Sequence, residues 1–124
     1  MSELTCLELS VLLWLLHLLL QAGLSGVPLS WNASARDEPA PPPTVIGGRA
    51  ARAFRNYMES FPVFAALDLA FLATHHPAGI WPTLWIAARI VYLPLYLAGV
   101  PYARSGVWVI SLLALTAMLV RLAL

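Results

Sequence analysis

Apolar residues dominate four stretches of the chain, at about residues 4–24, 47–73, 81–100 and 105–124. A helix that crosses a bilayer needs roughly 20 such residues, so each stretch predicts one span. The first is interrupted by Glu8 and His17 and ends in the breakers Gly23, Ser25, Gly26 and Pro28. A secretory signal carries positive charge ahead of its apolar region, but no Lys or Arg precedes this one, so it reads as a retained helix. Residues 25–46 hold Trp31, Arg36, Asp37, Glu38 and the run Pro39, Ala40, Pro41, Pro42, Pro43, and are expected to form a loop with a stiff polyproline-like section. Pro62 should bend or weaken the second span, and Pro94 lies inside the third. His75 to Gly79 form a short turn, while Pro101, Tyr102 and Ala103 leave room only for a tight reversal ahead of Ser105. No internal repeat is visible. The expectation is an all-α membrane protein, a single four-helix bundle over residues 1–124.

Composition supports that class. Of 124 residues 60% are hydrophobic, with seven basic and six acidic side chains and a mean hydropathy of +0.79, values a soluble domain of this size rarely reaches. The length is used up by four spans, so function must sit in or at the edge of the bundle. A net charge of +1 without a basic run beyond the membrane edge leaves no footprint for nucleic acid. Cys6 is alone, which excludes an internal disulfide. Every basic residue is arginine, a bias that suits a bacterial genome rich in G and C and hence an inner-membrane location. Arg36, Arg49, Arg52 and Arg104 gather at the loops joining spans one to two and three to four, which places those loops in the cytoplasm and both termini on the opposite side.

The arginines also carry the candidate chemistry. At about 100° per residue, Arg49, Arg52, Asn56 and Glu59 share an arc of roughly 80° on the second span, with Arg55 about 40° beyond it. Ionisable groups in a membrane need a partner, a wet pocket or a ligand, and the arginines outnumber the one glutamate. Arg89, Tyr92 and Tyr96 fall within about 60° of one another on the third span. Arg104 and Ser105 stand where the fourth is expected to start, and a helix N-terminus favours anions. These elements could converge on a cytoplasm-facing cavity for a flexible, multiply charged molecule, with carboxylates for the arginines and an ammonium for Glu59. Plainer readings stand beside this one: an intramembrane ion pair of Arg52 with Glu59, interfacial anchoring by Arg89, Tyr92 and Tyr96, and Arg104 as a topology-setting charge.

The run Arg52, Ala53, Phe54, Arg55, Asn56, Tyr57, Met58, Glu59, followed by Pro62, resembles the second-helix signature of the MAPEG superfamily, the membrane-associated proteins of eicosanoid and glutathione metabolism. The succession Arg89, Tyr92, Tyr96, Arg104 and Ser105 is similar to the same family's glutathione site. The resemblance implies a homotrimer that binds glutathione, as cosubstrate, between neighbouring subunits. It implies that Arg52, Arg55, Asn56 and Glu59 hold the glutathione backbone, with Tyr92 and Tyr96 lining the pocket. Arg104 would stabilise the thiolate, Ser105 would be a nearby hydrogen-bond donor, and Arg36 would reach in from the adjacent chain. The implied activity is that of a transferase or peroxidase acting on a lipophilic molecule dissolved in the bilayer.

Two other functions compete. A noncatalytic, lipid-binding family member would present a lipid to a partner, and loss of Arg104 would favour it. A small multidrug exporter would use Glu8 as its proton-coupled carboxylate, but has no need for the arginine stripe. His75 and His76 are adjacent and point apart on a helix, so no metal site is expected. Glu8, His17 and Asp68 are candidates for helix-to-helix hydrogen bonds or subunit contacts, without an assigned function.

Overall fold

A computed structural model describes residues 1–124 and contains five helices: α1 Glu3–Leu24, α2 Leu29–Asn32, α3 Val45–Thr74, α4 Trp81–Ala98 and α5 Pro101–Ala123. Local chemistry sets their ends. Ser2 caps α1 by accepting a hydrogen bond from the Thr5 amide at 3.2 Å. Thr44 caps α3, accepting from the Gly47 amide at 3.0 Å while its hydroxyl donates to the Leu24 carbonyl at 2.6 Å. One side chain thus closes two helix ends at once. Gly47 is buried in that crossing, where a Cβ would collide with the Leu24 carbonyl and the Ser25 backbone.

The intervening residues begin and end at this junction, since the Thr44 amide donates to the Ser25 carbonyl at 3.1 Å. The expected loop over 25–46 is therefore a closed excursion, and it contains the single turn α2, which hydrophobic patterning was too short to reveal. Two further boundaries differ from expectation. Helix α5 starts at Pro101, because proline at the first helical position has no amide to satisfy and a φ already suited to a helix. The reversal before it is made by Gly99 and Val100 alone. Helix α3 runs unbroken through Pro62 for 30 residues.

Contacts at the ends fix an up-and-down order. Glu3 accepts from the Ala78 amide at 3.2 Å, Arg121 Nε donates to the Pro77 carbonyl at 2.7 Å, and Arg49 Nη1 donates to the Leu97 carbonyl at 3.0 Å. The start of α1 and the end of α5 therefore lie beside the α3–α4 turn, and the start of α3 lies beside the end of α4. Helix α1 packs along α3 and α4 along α5, and the two pairs meet chiefly through α3 and α4.

An aromatic column fills the space between them. Phe64 and Trp85 stack at 4.0 Å, Tyr57 lies 5.8 Å from Trp85, and His17 stacks on Tyr57 at 4.6 Å. The Tyr57 hydroxyl donates to the Ser10 carbonyl at 2.6 Å, tying α3 to α1. Of the three other polar residues expected to make helix-to-helix bonds or subunit contacts, none bonds to another helix within the chain. His17 Nδ1 donates to the Leu13 carbonyl of its own helix at 2.7 Å, Asp68 is fully buried with neither oxygen hydrogen-bonded, and Glu8 lies exposed on the outside of α1.

Only 25 residues are buried, and large apolar side chains such as Leu12, Leu19, Val63, Leu69, Leu113 and Val120 face outward. Such surfaces need an apolar medium. Helices α1, α3 and α5 are each long and apolar enough to cross a membrane, which makes the chain an integral membrane protein. Helix α4, with 18 residues, is not among the three; Pro82, Thr83, Arg89, Tyr92 and Tyr96 dilute its apolar character.

Candidate functional site

Three helices contribute side chains to one open pocket of about 190 Å³ at the end of the bundle where α4 gives way to α5. Helix α3 supplies Asn56, α4 supplies Tyr92 and Tyr96, and α5 supplies Arg104, Ser105 and Trp108. Residues four apart on a helix share a face, so Tyr92 with Tyr96 and Arg104 with Trp108 present themselves together. The antiparallel α4–α5 pair, turned in two residues, sets those faces beside each other.

The pocket holds a cation with free donors. The Arg104 guanidinium carbon stands 4.5 Å above the Tyr96 ring, a cation–π contact that orients it while leaving its N–H groups unspent. Tyr96 lies 5.4 Å from Tyr92, and Tyr92 lies 5.5 Å from the guanidinium carbon of Arg89. Two phenol rings therefore stand between two cations. No carboxylate lines the pocket. Hydroxyl, amide and guanidinium groups without a neutralising acid favour a charged acceptor.

Of the residues singled out in the sequence, Asn56, Tyr92, Tyr96, Arg104 and Ser105 meet here. Arg89 does not line the pocket but lies behind it, 1% exposed, donating through Nη1 to Asn56 Oδ1 at 2.7 Å and through Nη2 to Ser60 Oγ at 2.6 Å. Arg52, Arg55 and Glu59 flank Asn56 along α3 but are exposed and outside the pocket of the single chain. No Arg52–Glu59 ion pair forms, so the plainer reading of the stripe is not realised. Arg49 leaves the stripe to hold the Leu97 carbonyl.

Arg36 does not line the pocket of its own chain. Its Nε and Nη2 donate to the Asn32 carbonyl at 3.2 and 3.0 Å and it lies over the Trp31 ring at 5.6 Å, because α2 offers an acceptor and an aromatic face within reach. The expected anion site at the start of α5 also changes. With the helix beginning at Pro101, Arg104 and Ser105 come at the end of its first turn, and the Ser105 hydroxyl donates to the Pro101 carbonyl at 3.2 Å. In this conformation Ser105 offers the pocket an acceptor lone pair instead of its hydrogen.

Two contributors escaped the sequence reading. Trp108 lies one helical turn after Arg104, and that spacing could have nominated it. Ser60, one turn after Asn56, shares Arg89 with it, a role no linear pattern announces.

No curated protein and no solved structure matches the chain. The model of the MAPEG family matches residues 5–124, a stretch that includes all but the first two residues of the four long helices and every pocket residue named above. Spanning nearly the whole sequence, that match shows that the chain belongs to the MAPEG family.

Proposed function

We propose that the protein is a glutathione-dependent membrane enzyme, a transferase or peroxidase that activates the glutathione thiol toward a lipophilic substrate. One observation carries this reading: Arg104, inside a family member, stands in an open pocket whose other walls supply hydrogen-bonding groups and no acid. A guanidinium does not surrender its proton, so a thiol beside it meets a permanent positive charge. That charge favours the thiolate, which is the nucleophile. Asn56, Tyr92 and Tyr96 would hold the peptide, and the apolar outer faces of the helices give an electrophile or hydroperoxide a route from the lipid.

The single chain also supports an assembly. Its pocket, about 190 Å³, is smaller than the roughly 300 Å³ at which small-molecule sites begin. Arg52, Arg55 and Glu59 are exposed on a membrane-crossing helix, where charges require partners. A neighbouring copy in a homotrimer would enclose both, with Arg52 and Arg55 meeting glutathione carboxylates and Glu59 its ammonium. Arg36 would join from that neighbour after leaving the Asn32 carbonyl. Helix α4 would be the fourth span: its 18 residues extend about 27 Å at ~1.5 Å each, close to the ~30 Å hydrocarbon core. The end bearing Arg36, Arg49, Arg52 and Arg104 would face the cytoplasm of a bacterial inner membrane.

Calorimetry of the purified protein with glutathione tests the proposal. The wild type should bind, Arg104→Ala should still bind, and Glu59→Ala should bind about tenfold or more weakly through loss of a charge-assisted contact. Absence of wild-type binding, or an unchanged Glu59→Ala, would contradict it.

A further inference from the structure

Arg89 is a fully buried cation whose hydrogen bonds both go to neutral groups, Asn56 Oδ1 at 2.7 Å and Ser60 Oγ at 2.6 Å. Its guanidinium carbon lies 5.5 Å from the centres of both the Trp85 and Tyr92 rings. Wedged between them, it has little freedom to choose other partners.

Arginine can only donate, so each partner must turn a lone pair toward it. Ser60 can do this because its own hydrogen goes to the Tyr57 carbonyl at 3.3 Å. For Asn56 the consequence is sharper. Its amide has an acceptor branch and a donor branch, and with the oxygen on Arg89 the NH₂ branch is the one left for the pocket that Asn56 lines. An unconstrained asparagine could turn either way.

We propose that Arg89 is a positioning residue for the glutathione site, locking the Asn56 side chain so that its amide hydrogens face the pocket and select an acceptor group of the ligand, a carboxylate or peptide carbonyl oxygen. The inference rests on the glutathione reading above for the identity of the ligand, but not for the orientation itself. Arg89 acts through Asn56 and does not touch the ligand.

Asn56→Asp separates this from a merely structural role. The substitution keeps the shape and the oxygen that accepts from Arg89, yet turns a second oxygen, with negative charge, toward the pocket. In detergent without ligand, Asn56→Asp should melt no lower than the wild type and above Asn56→Ala, because the carboxylate pairs with the buried guanidinium. Glutathione affinity should fall about tenfold in Asn56→Ala, which loses one donor, and about a hundredfold in Asn56→Asp, which also opposes like charges.

Asn56→Asp binding glutathione as well as Asn56→Ala or better would overturn the proposal, since the pocket would then not be facing a donor. Should the wild type bind no glutathione, the enzyme reading fails and the melting series alone decides the orientation. Asn56→Asp less stable than Asn56→Ala would then sink it, and the reverse order would sustain it.

Discussion

Arg49 reaches from the start of α3 to the Leu97 carbonyl near the end of α4, and Gly99 is what lets it arrive. Gly99 has φ +78°, and a Cβ there would stand 2.7 Å from the guanidinium carbon of Arg49. Around it the Val100 amide bonds back to Leu95 and the Gly99 amide to Tyr96, leaving Leu97 open to the arginine at the negative end of the helix. Gly99→Ala should therefore destabilise the protein by about 2–3 kcal/mol, combining left-handed strain of about 1–2 kcal/mol with a weakened charge-assisted bond. In an Arg49→Ala background the same change should cost only the strain. Denaturant unfolding of the two single variants and the double measures this coupling, and strictly additive effects would show that the crowding is not felt. A helical wheel placed Arg49, Arg52, Asn56 and Glu59 on one stripe, which the continuous α3 bears out in direction. It could not say which would find a carbonyl, because the acceptor is 48 residues away in sequence. Arg89 was legible as a site residue by its spacing to Tyr92 and Tyr96, but its position behind the pocket depends on Trp85, Asn56 and Ser60 closing over it.

At the level of elements, long apolar runs made the helices easy to read, and α1 and α3 begin and end within two residues of expectation. Their ends were less legible wherever a short polar signal competes with proline chemistry. Pro101 looked like part of a reversal, yet as a first helical residue it starts α5 and carries Arg104 and Ser105 past the helix terminus. A single turn such as α2 buries too little to leave a periodic trace. Helix α4 shows the opposite tension. Arg89, Tyr92 and Tyr96, which it contributes to the site and its support, are among the residues that dilute its hydropathy.

For the whole molecule, the exposed charges of α3 and the small one-chain pocket are the grounds on which a homotrimer is proposed. Native mass spectrometry of detergent-released protein should give three copies of the 13.5 kDa chain, and a persistent monomer would remove the support for a site shared between subunits. The central claim concerns charge in that site. A pH titration of the thiolate absorbance of bound glutathione tests it most directly. A free thiol is half-ionised near pH 8.5. Bound to the wild type it should ionise at least about one pH unit lower, and Arg104→Ala should return it toward the free value. Bound glutathione that titrates like the free thiol, or a lowered midpoint that survives Arg104→Ala, would contradict the role given to Arg104.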